Sequence, residues 1–392
     1  MTGDWFGART ALADRGLEFE GRWRGVYFGV LASENGSGSA FSEEIDFDAK
    51  IDLARAMRAE PLRGATLFGA VRWRDPGPDA NPNNFVDADG LFKPSRYVGG
   101  VGLRLMSFGA GYVTPELFGV EHLLNLRAGW LQPQREFVEQ PLARLFANNP
   151  MASAEGIGGN IPFTSSFSSW GGTLEIKPAD WHYTKLGLFM SFPDPTNPDN
   201  HGLMFRGYES RPDQNGLFFM GETGCTPEIG PRKLPGHYAF GGYYYGESNA
   251  KYGGSKYGFY GQADQMVWRE SSGGGALSKE GLRVFSLFVF APAEDNAFSF
   301  YTHAGLVYEG LVPGRSQDEA LIGVAVGQYG AAAASGAHDP APSQSVLIEA
   351  GYRIKLNGWS FVQPFVQYIA QPDGTTAVAN ASILGVFLGV DF

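Results

Sequence analysis

The sequence predicts an all-β fold, namely a transmembrane antiparallel β-barrel of 16 strands with a short N-terminal helix and one long loop folded inward. Three observations lead to this prediction. Apolar and polar residues alternate along about sixteen runs, as in strands with one apolar face. No apolar run reaches the roughly 20 residues that a transmembrane helix needs. The last run keeps its apolar face up to the final residue. An even number near sixteen gives a barrel wide enough for a water-filled channel.

The final run, residues 381–392, shows the alternation most plainly. Residues at a spacing of two form one apolar face, which consists of Leu384, Val386, Leu388, Val390 and Phe392. A soluble β-protein could also place such a face on its core, so this stretch alone leaves both interpretations open. The chain stops on the apolar face without a polar tail, as expected of a strand that pairs with the first strand and closes a lipid-facing barrel.

The composition suits a large barrel and argues against one class of partner. The 392 residues include 55 glycines and 14% aromatic residues, which fit many turns and interfacial aromatic girdles. The net charge of −11 argues against nucleic acid as a partner. The single cysteine, Cys225, can form no internal disulfide. Residues 1–16 lack the apolar core of a secretory signal, so we expect any signal peptide to have been removed.

The runs predict where each strand lies, and residues 17–392 form the barrel. Residues 1–16 predict a short helix that Thr2 or Asp4 caps, that Gly16 ends, and that plugs or braces the strands. The predicted strands lie at about residues 17–31, 44–53, 62–74, 97–112, 122–131, 168–176, 183–192, 216–224, 237–246, 257–269, 282–291, 297–309, 318–329, 345–356, 359–371 and 382–392.

The longest stretch without strand character is residues 133–167. It is rich in Pro, Gly, Asn and Ser and contains a few apolar residues. A loop of this length in a compact protein is usually functional or disordered. We expect it to fold into the lumen and narrow the pore; the alternative is a loop on the outer surface.

The sequence contains no motif for catalysis, phosphate binding or metal binding. Gly-x-Ser-x-Gly, His-Glu-x-x-His, a phosphate loop and paired cysteines are all absent. The six histidines are scattered, and we interpret His303 as a polar lumen residue rather than a general base. We therefore predict no enzyme activity, no metal and no cofactor.

Polar residues on the inward faces are the remaining candidates for function. The guanidinium groups of arginine and the carboxylates of Asp and Glu form hydrogen bonds to the hydroxyls of a neutral polyol, and aromatic rings contact its C–H side. For any single residue, the simpler role is to hydrate and brace the lumen. The candidate wall residues are Arg22, Arg24, Arg127, Asp264, Glu349 and Arg353.

Several segments, in chain order, resemble one family. Residues 3–10 read Gly-Asp-Trp-Phe-Gly-Ala-Arg-Thr, and residues 126–129 read Leu-Arg-Ala-Gly. Residues 234–242 read Leu-Pro-Gly-His-Tyr-Ala-Phe-Gly-Gly, and residues 257–265 read Tyr-Gly-Phe-Tyr-Gly-Gln-Ala-Asp-Gln. Residues 363–369 read Gln-Pro-Phe-Val-Gln-Tyr-Ile. Together these segments resemble the carbohydrate-selective porins, the OprB family.

The resemblance implies a Gram-negative outer-membrane barrel through which monosaccharides such as glucose diffuse passively. It also implies that residues 1–16 are periplasmic and that the long loop narrows an eyelet with arginine and carboxylate on its wall. Two features depart from the expected pattern: residues 133–167 carry few charges, and Phe365 stands where a polar residue is expected. The expected partners are small carbohydrates, outer-membrane lipid and lipopolysaccharide. A monomer and a homotrimer are both left open.

Three alternatives remain at this stage. A general or ion-selective diffusion porin without a sugar site would show a conductance that sugars do not change. An outer-membrane barrel enzyme, such as a lipase or protease, would need a nucleophile beside a histidine, and no such grouping stands out. A soluble sugar-binding β-protein would be extracted without detergent.

Overall fold

The computed structural model describes residues 4–33, 36–77, 86, 92–98, 101–164, 167–191, 198–205, 215–246, 255–270, 278–331 and 343–392. Sixteen strands of these residues form one closed antiparallel barrel, which confirms the predicted fold. The barrel strands are β1 Leu17–Ala32, β2 Gly38–Asp52, β3 Ala65–Asp75, β4 Gly102–Val113, β5 Leu124–Leu131, β6 Ser169–Ala179, β7 His182–Ser191, β8 Gly216–Cys225, β9 Leu234–Tyr245, β10 Lys256–Arg269, β11 Gly281–Phe290, β12 Phe298–Glu309, β13 Glu319–Tyr329, β14 Gln344–Asn357, β15 Ser360–Ala370 and β16 Ala381–Asp391.

The barrel closes between its first and last strands, as the final run predicted. Leu388 of β16 lies opposite Gly25 of β1, and the backbone N–H and C=O groups of Gly21 and Phe392 bond to each other at 2.8 Å. The two faces of β16 alternate as expected: Leu384 is 53% exposed on the outer face, and Phe387 is 2% exposed on the inner face. Closure leaves no unpaired edge between these strands.

Two strand boundaries differ from the prediction. Strand β2 begins at Gly38 rather than near 44, because the small and polar residues at its start carry no apolar alternation although they pair with β1. Strand β4 begins at Gly102 rather than near 97. Tyr97, which the prediction placed in this strand, belongs to a segment that lies inside the barrel.

The N-terminal helix is present. A 3-10 turn at Trp5–Gly7 leads into α1 Ala8–Asp14, and one carboxylate oxygen of Asp4 accepts the N–H and hydroxyl of Thr10, both at 2.8 Å. Thr2, the other predicted cap, lies outside the described residues. Gly16 has a φ of +80°, and a Cβ there would lie 2.7 Å from the carbonyl oxygen of Asp52, so glycine is needed where the helix ends.

Short elements connect the strands. Among the described residues, the further helices are α2 Leu53–Met57, α3 Pro133–Glu136, α4 Asn149–Ser153 and α5 Glu155–Gly158, with 3-10 turns at Glu60–Leu62, Ala143–Leu145, Pro198–Asn200 and Pro372–Gly374. Two-residue strands lie at Glu116–Leu117, Val120–Glu121 and Glu228–Ile229. No helix in the described part of the chain is both long enough and apolar enough to cross a bilayer.

Part of the β7–β8 connection covers a gap in the wall. Within the described residues, the first half of β4 has no ladder partner on its β5 side, because the chain leaves the wall after β5. The carbonyl oxygen of His201 accepts the N–H of Leu105 there at 2.9 Å. Phe205 packs on Trp130 with ring centroids 5.1 Å apart, so Trp130 is only 1% exposed although it belongs to the outer face. Residues 198–205 therefore complete the wall locally.

Asp318 fixes the turn between β12 and β13, outside the strands. Its carboxylate accepts hydrogen bonds from Nε of Arg315 at 2.8 Å, the Tyr352 hydroxyl at 3.1 Å and the N–H of Lys355 at 2.9 Å. Burial acts to raise the pKa of Asp318, but these donors outweigh it and hold the pKa below its usual range.

We expect Asp318→Asn to lower barrel stability near neutral pH and to reduce its loss in acid. A carboxylate with a depressed folded pKa contributes stability above its unfolded pKa of about 3.9, and this contribution is lost as the pH falls toward the folded value. Thermal unfolding in detergent between about pH 2 and pH 7 measures the effect. Asp14→Asn, in the exposed helix α1, is the control. An unchanged acid sensitivity in Asp318→Asn would contradict the assignment.

Candidate functional site

The long loop, residues 133–167, is attached to inward-facing side chains of the barrel at several points. The main attachment is Glu349 of β14, which is 0% exposed. Its carboxylate accepts the backbone N–H of Ala147 at 2.8 Å, the N–H of Asn148 at 3.0 Å and Nε2 of Gln367 at 3.0 Å. Three donors satisfy this buried carboxyl group, and two of them belong to the loop backbone, so Glu349 acts as a latch that holds the loop on the wall.

The carbonyl oxygen of Leu145 is held from the same side of the barrel. Nη2 of Arg353 donates to it at 2.9 Å, and Nε2 of Gln363 donates at 3.0 Å. Nε of Arg353 also donates to the side-chain oxygen of Gln363 at 2.7 Å. Strands β14 and β15 therefore orient one turn of the loop through its backbone.

Further contacts fix the loop on the opposite strands. Gln140 bonds to His303 of β12 at 2.7 Å, and both residues are buried. This matches the interpretation of His303 as a polar lumen residue. The N–H of Val138 donates to Glu222 of β8 at 3.3 Å. Asn160 exchanges two hydrogen bonds of 2.8 Å with the backbone of Phe298.

A second segment, residues 92–98, also lies inside the barrel, and the sequence analysis missed it. The N–H of Arg96 donates to the carbonyl oxygen of Ala147 at 2.9 Å. Ser95 bonds to Ser42 of β2 at 2.6 Å, and Nε2 of Gln367 donates to the carbonyl oxygen of Pro94 at 3.0 Å. Pro94 supplies no N–H to a ladder, so it marks the residues before Tyr97 as non-strand but does not indicate that the segment lies inside the barrel.

These two segments and the wall enclose a cavity of about 220 Å³, which we call the main cavity because both segments and the wall arginines meet there, although the cavity beside it is larger. Eight arginines line the main cavity together with a single carboxylate, that of Glu44, and the rings of Tyr97 and Phe387. The arginines are Arg22, Arg24, Arg72, Arg74, Arg96, Arg135, Arg144 and Arg353. An adjoining cavity of about 400 Å³ shares Arg22, Gln132, Arg135 and Arg144 with it and contains more acidic residues.

Most wall arginines are held by buried carboxylates. Asp46 of β2 accepts Nε of Arg22 at 2.7 Å and Nε of Arg72 at 2.6 Å. Glu44 lies two residues before Asp46 on the same inward face of β2, and it bonds to both Arg72 and Arg74. These pairings fix the guanidinium groups in place and leave their remaining N–H groups for the cavity.

Three of the six predicted wall residues meet at the main cavity. Arg22 is paired with Asp46, and Arg24 bonds to Asp391. The guanidinium of Arg353 lies 4.1 Å from the ring centroid of Phe361, which is a cation–π contact.

The other three predicted residues lie elsewhere. Arg127 lines the adjoining cavity, where it pairs with Glu136 at 2.8 Å and lies over the ring of Phe68. Glu349 lies beneath the loop and is not part of the cavity lining. Asp264 lies on the far side of the loop, with its carboxylate 3.6 Å from Nδ1 of His237.

The arginines that the sequence analysis did not single out are Arg72, Arg74, Arg96, Arg135 and Arg144. Arg72 and Arg74 alternate with Val71 and Trp73 in the predicted third strand, and that alternation could have marked them. The three loop arginines had no such signal, because loop side chains follow no period. In the described residues, no group of three or more His, Cys, Asp or Glu side chains could hold a metal ion.

Comparison with known proteins agrees with this geometry. A family model described as "Carbohydrate-selective porin, OprB family" matches residues 80–392. Porin B of Pseudomonas aeruginosa is 24% identical over 435 residues, which cover 98% of this chain and 90% of that protein. The high-pH structure of Pseudomonas putida OprB is 23% identical with a TM-score of 0.84, and the alignment covers 100% of this chain and 98% of that one. Its low-pH structure gives a TM-score of 0.63 at 20% identity, with the same coverage.

Proposed function

Because the chain belongs to the carbohydrate-selective porin, OprB family, we propose that monosaccharides such as glucose cross the barrel through the main cavity and contact its arginines and aromatic rings. The protein is a Gram-negative outer-membrane β-barrel channel that conducts sugars by passive diffusion, and it is not an enzyme. The observation that supports the proposed path is a cavity of about 220 Å³, with arginines and two rings on its lining, inside a closed barrel.

The chemistry of the lining suits a single sugar ring. Guanidinium N–H groups donate to hydroxyl oxygens, and carboxylate oxygens such as those of Glu44 accept from hydroxyl protons. The rings of Tyr97 and Phe387 pack on each other at the cavity lining, with centroids 6.2 Å apart, and we propose that they contact the C–H side of the sugar ring. The lining side chains are held in place by their hydrogen-bond partners, so the sugar binds to a preorganised surface. Conduction also requires that this binding be weak enough for the sugar to dissociate.

The two inner segments set the width of the path. We propose that residues 133–167 form the constriction loop and that residues 92–98 complete the constriction. In the same proposal, Arg22, Arg24 and Arg353 contact sugar, Arg127 contacts it in the adjoining cavity, and Glu349 positions the loop. Asp264 stays a candidate for a contact on the far side of the loop.

The proposal extends to the surroundings of the barrel. Residues 1–16 lie on the periplasmic side, and apolar side chains such as Leu188 and Leu384 face outer-membrane lipid and lipopolysaccharide. Strands β1 and β16 of the same chain pair and close the barrel around the main cavity. We therefore propose that each barrel conducts by itself, whether it is a monomer or part of a trimer.

Single-channel current in a planar bilayer tests the function. We expect glucose at millimolar concentration to block the current, and Tyr97→Ala to weaken that block about fivefold, because an aromatic contact contributes about 1 kcal/mol. Tyr112→Ala, on the outer face of β4, is the matched control. A current that no sugar changes would contradict the proposal and favour a general or ion-selective diffusion channel.

A further inference from the structure

Two loop arginines at the main cavity differ from the other arginines that line it. Nη1 of Arg96 donates to the carbonyl oxygens of Arg144, at 2.8 Å, and Phe146, at 3.4 Å. Neither the Arg96 nor the Arg144 guanidinium has a carboxylate oxygen within 4.0 Å in the described part of the chain. The other six arginines of the lining, five on the wall and the loop residue Arg135, pair with Glu44, Asp46, Asp48, Asp391 and Glu319.

The cavity as a whole has a surplus of positive charge. Eight arginines line it, and the five carboxylates that pair with six of them leave three positive charges in excess, although the whole chain carries a net charge of −11. Desolvation inside the barrel, together with the nearby Arg96 and Arg22, lowers the pKa of Arg144 to about 10. Arg144 is therefore still protonated at neutral pH, and a bound anion would relieve the repulsion between these cations.

We propose that Arg96 and Arg144 form a subsite for the anionic group of a monosaccharide carboxylate, such as an aldonic or uronic acid. The inference rests on the proposed function, because the ring of this ligand uses the same cavity as a neutral sugar. The guanidinium of Arg96 lies 5.7 Å from the ring centroid of Tyr97. A carboxylate at the arginines therefore places the attached sugar beside an aromatic face.

The two arginines suit a carboxylate in particular. A carboxylate matches the fork of a guanidinium group and can accept two hydrogen bonds from it. The channel should therefore select sugar acids over neutral sugars.

Current block in planar bilayers tests this subsite with glucose, glucuronate, glucose 6-phosphate and acetate as probes. We expect glucuronate to block at a concentration about tenfold lower than glucose. Arg144→Gln and the double variant Arg96→Gln, Arg144→Gln should bring the blocking concentrations of glucuronate and glucose close to parity, because the loss of positive charge weakens binding of the anion more than binding of the neutral sugar. Arg63→Gln, in an exposed turn between β2 and β3, is the matched control.

The single variant keeps the test independent of loop folding. The backbone oxygen of Arg144 holds Arg96, so Arg144→Gln removes the cation and leaves that contact in place. Equal block by glucose and glucuronate, or an unchanged ratio in Arg144→Gln, overturns the inference. Block by acetate as strong as by glucuronate, or stronger block by glucose 6-phosphate, also overturns it. Block by glucuronate without any effect of glucose would instead sink the proposed path for neutral sugars.

Discussion

Replacing Glu349 with alanine is expected to release the long loop, raise the single-channel conductance severalfold and abolish block by glucose. The substitution removes the acceptor for three buried donors, namely the N–H groups of Ala147 and Asn148 and Nε2 of Gln367. A hydrogen bond contributes about 1 kcal/mol, and a donor left buried and unpaired costs about 1–3 kcal/mol. The loop N–H groups can then form hydrogen bonds to water only if the loop moves away from the wall, so we expect the loop to be released.

Conductance and glucose block, measured in the same bilayers, check this prediction. Glu349→Gln keeps one acceptor oxygen and should give an intermediate conductance, which separates the latch from a general folding defect. Glu121→Ala, in an exposed turn between β4 and β5, is the matched control. Folding of each variant is checked by heat-modifiable gel mobility. A folded Glu349→Ala barrel with normal conductance and normal glucose block would refute the latch.

The strands could be predicted from sequence because their signal is local. Each strand exposes one face to an apolar surrounding, so Leu384 and Leu388 repeat at a spacing of two, whatever their neighbours are. The same alternation in the first and last runs predicted that these two strands pair with each other and close the barrel. The predicted strand boundaries were wrong where this alternation is missing. Strand β2, for example, begins at Gly38 with small and polar residues that pair with β1 but form no apolar face.

The inner segments could not be placed in the same way. Their positions depend on contacts between residues far apart in sequence, such as the bonds from Glu349 to Ala147 and from Gln367 to Pro94. No period marks such contacts. Tyr97 therefore looked like the start of a strand, although it lies inside the barrel beside Phe387.

The candidate wall residues show where alternation helps and where it stops. Alternation predicted that Arg22, Arg24 and Arg353 point inward, and these three reach the main cavity. Alternation also predicted that Glu349 points inward, but this direction alone does not distinguish a side chain exposed to water in the lumen from one buried under a loop. The distinction depends on residues 133–167, whose path is set by hydrogen bonds to their backbone.

Replacing Asp46 with asparagine is expected to destabilise the barrel by about 3 kcal/mol, because it removes the buried carboxylate shared by Arg22 and Arg72 and leaves only Glu44 to compensate Arg72. The Asp46 side chain is 0% exposed, and Arg72 is 8% exposed. Asp46 accepts Nε of Arg22 at 2.7 Å, and Nε and Nη2 of Arg72 at 2.6 and 2.9 Å. An asparagine offers one acceptor oxygen, and its amide group points N–H donors at guanidinium N–H groups.

Asp48→Asn, two positions along the same strand, is the matched control for this substitution. Its carboxylate is 35% exposed and pairs with Arg135, so its loss should cost less than about 1 kcal/mol, as for other exposed pairs. Urea unfolding in lipid vesicles, followed by heat-modifiable gel mobility, measures both variants. An equal decrease in the free energy of unfolding in the two variants would show that burial of the Asp46 ion pairs does not increase their contribution to stability. If the prediction holds, the folded fraction of Asp46→Asn should also show a larger preference for anions, because one negative charge beneath the main cavity is gone.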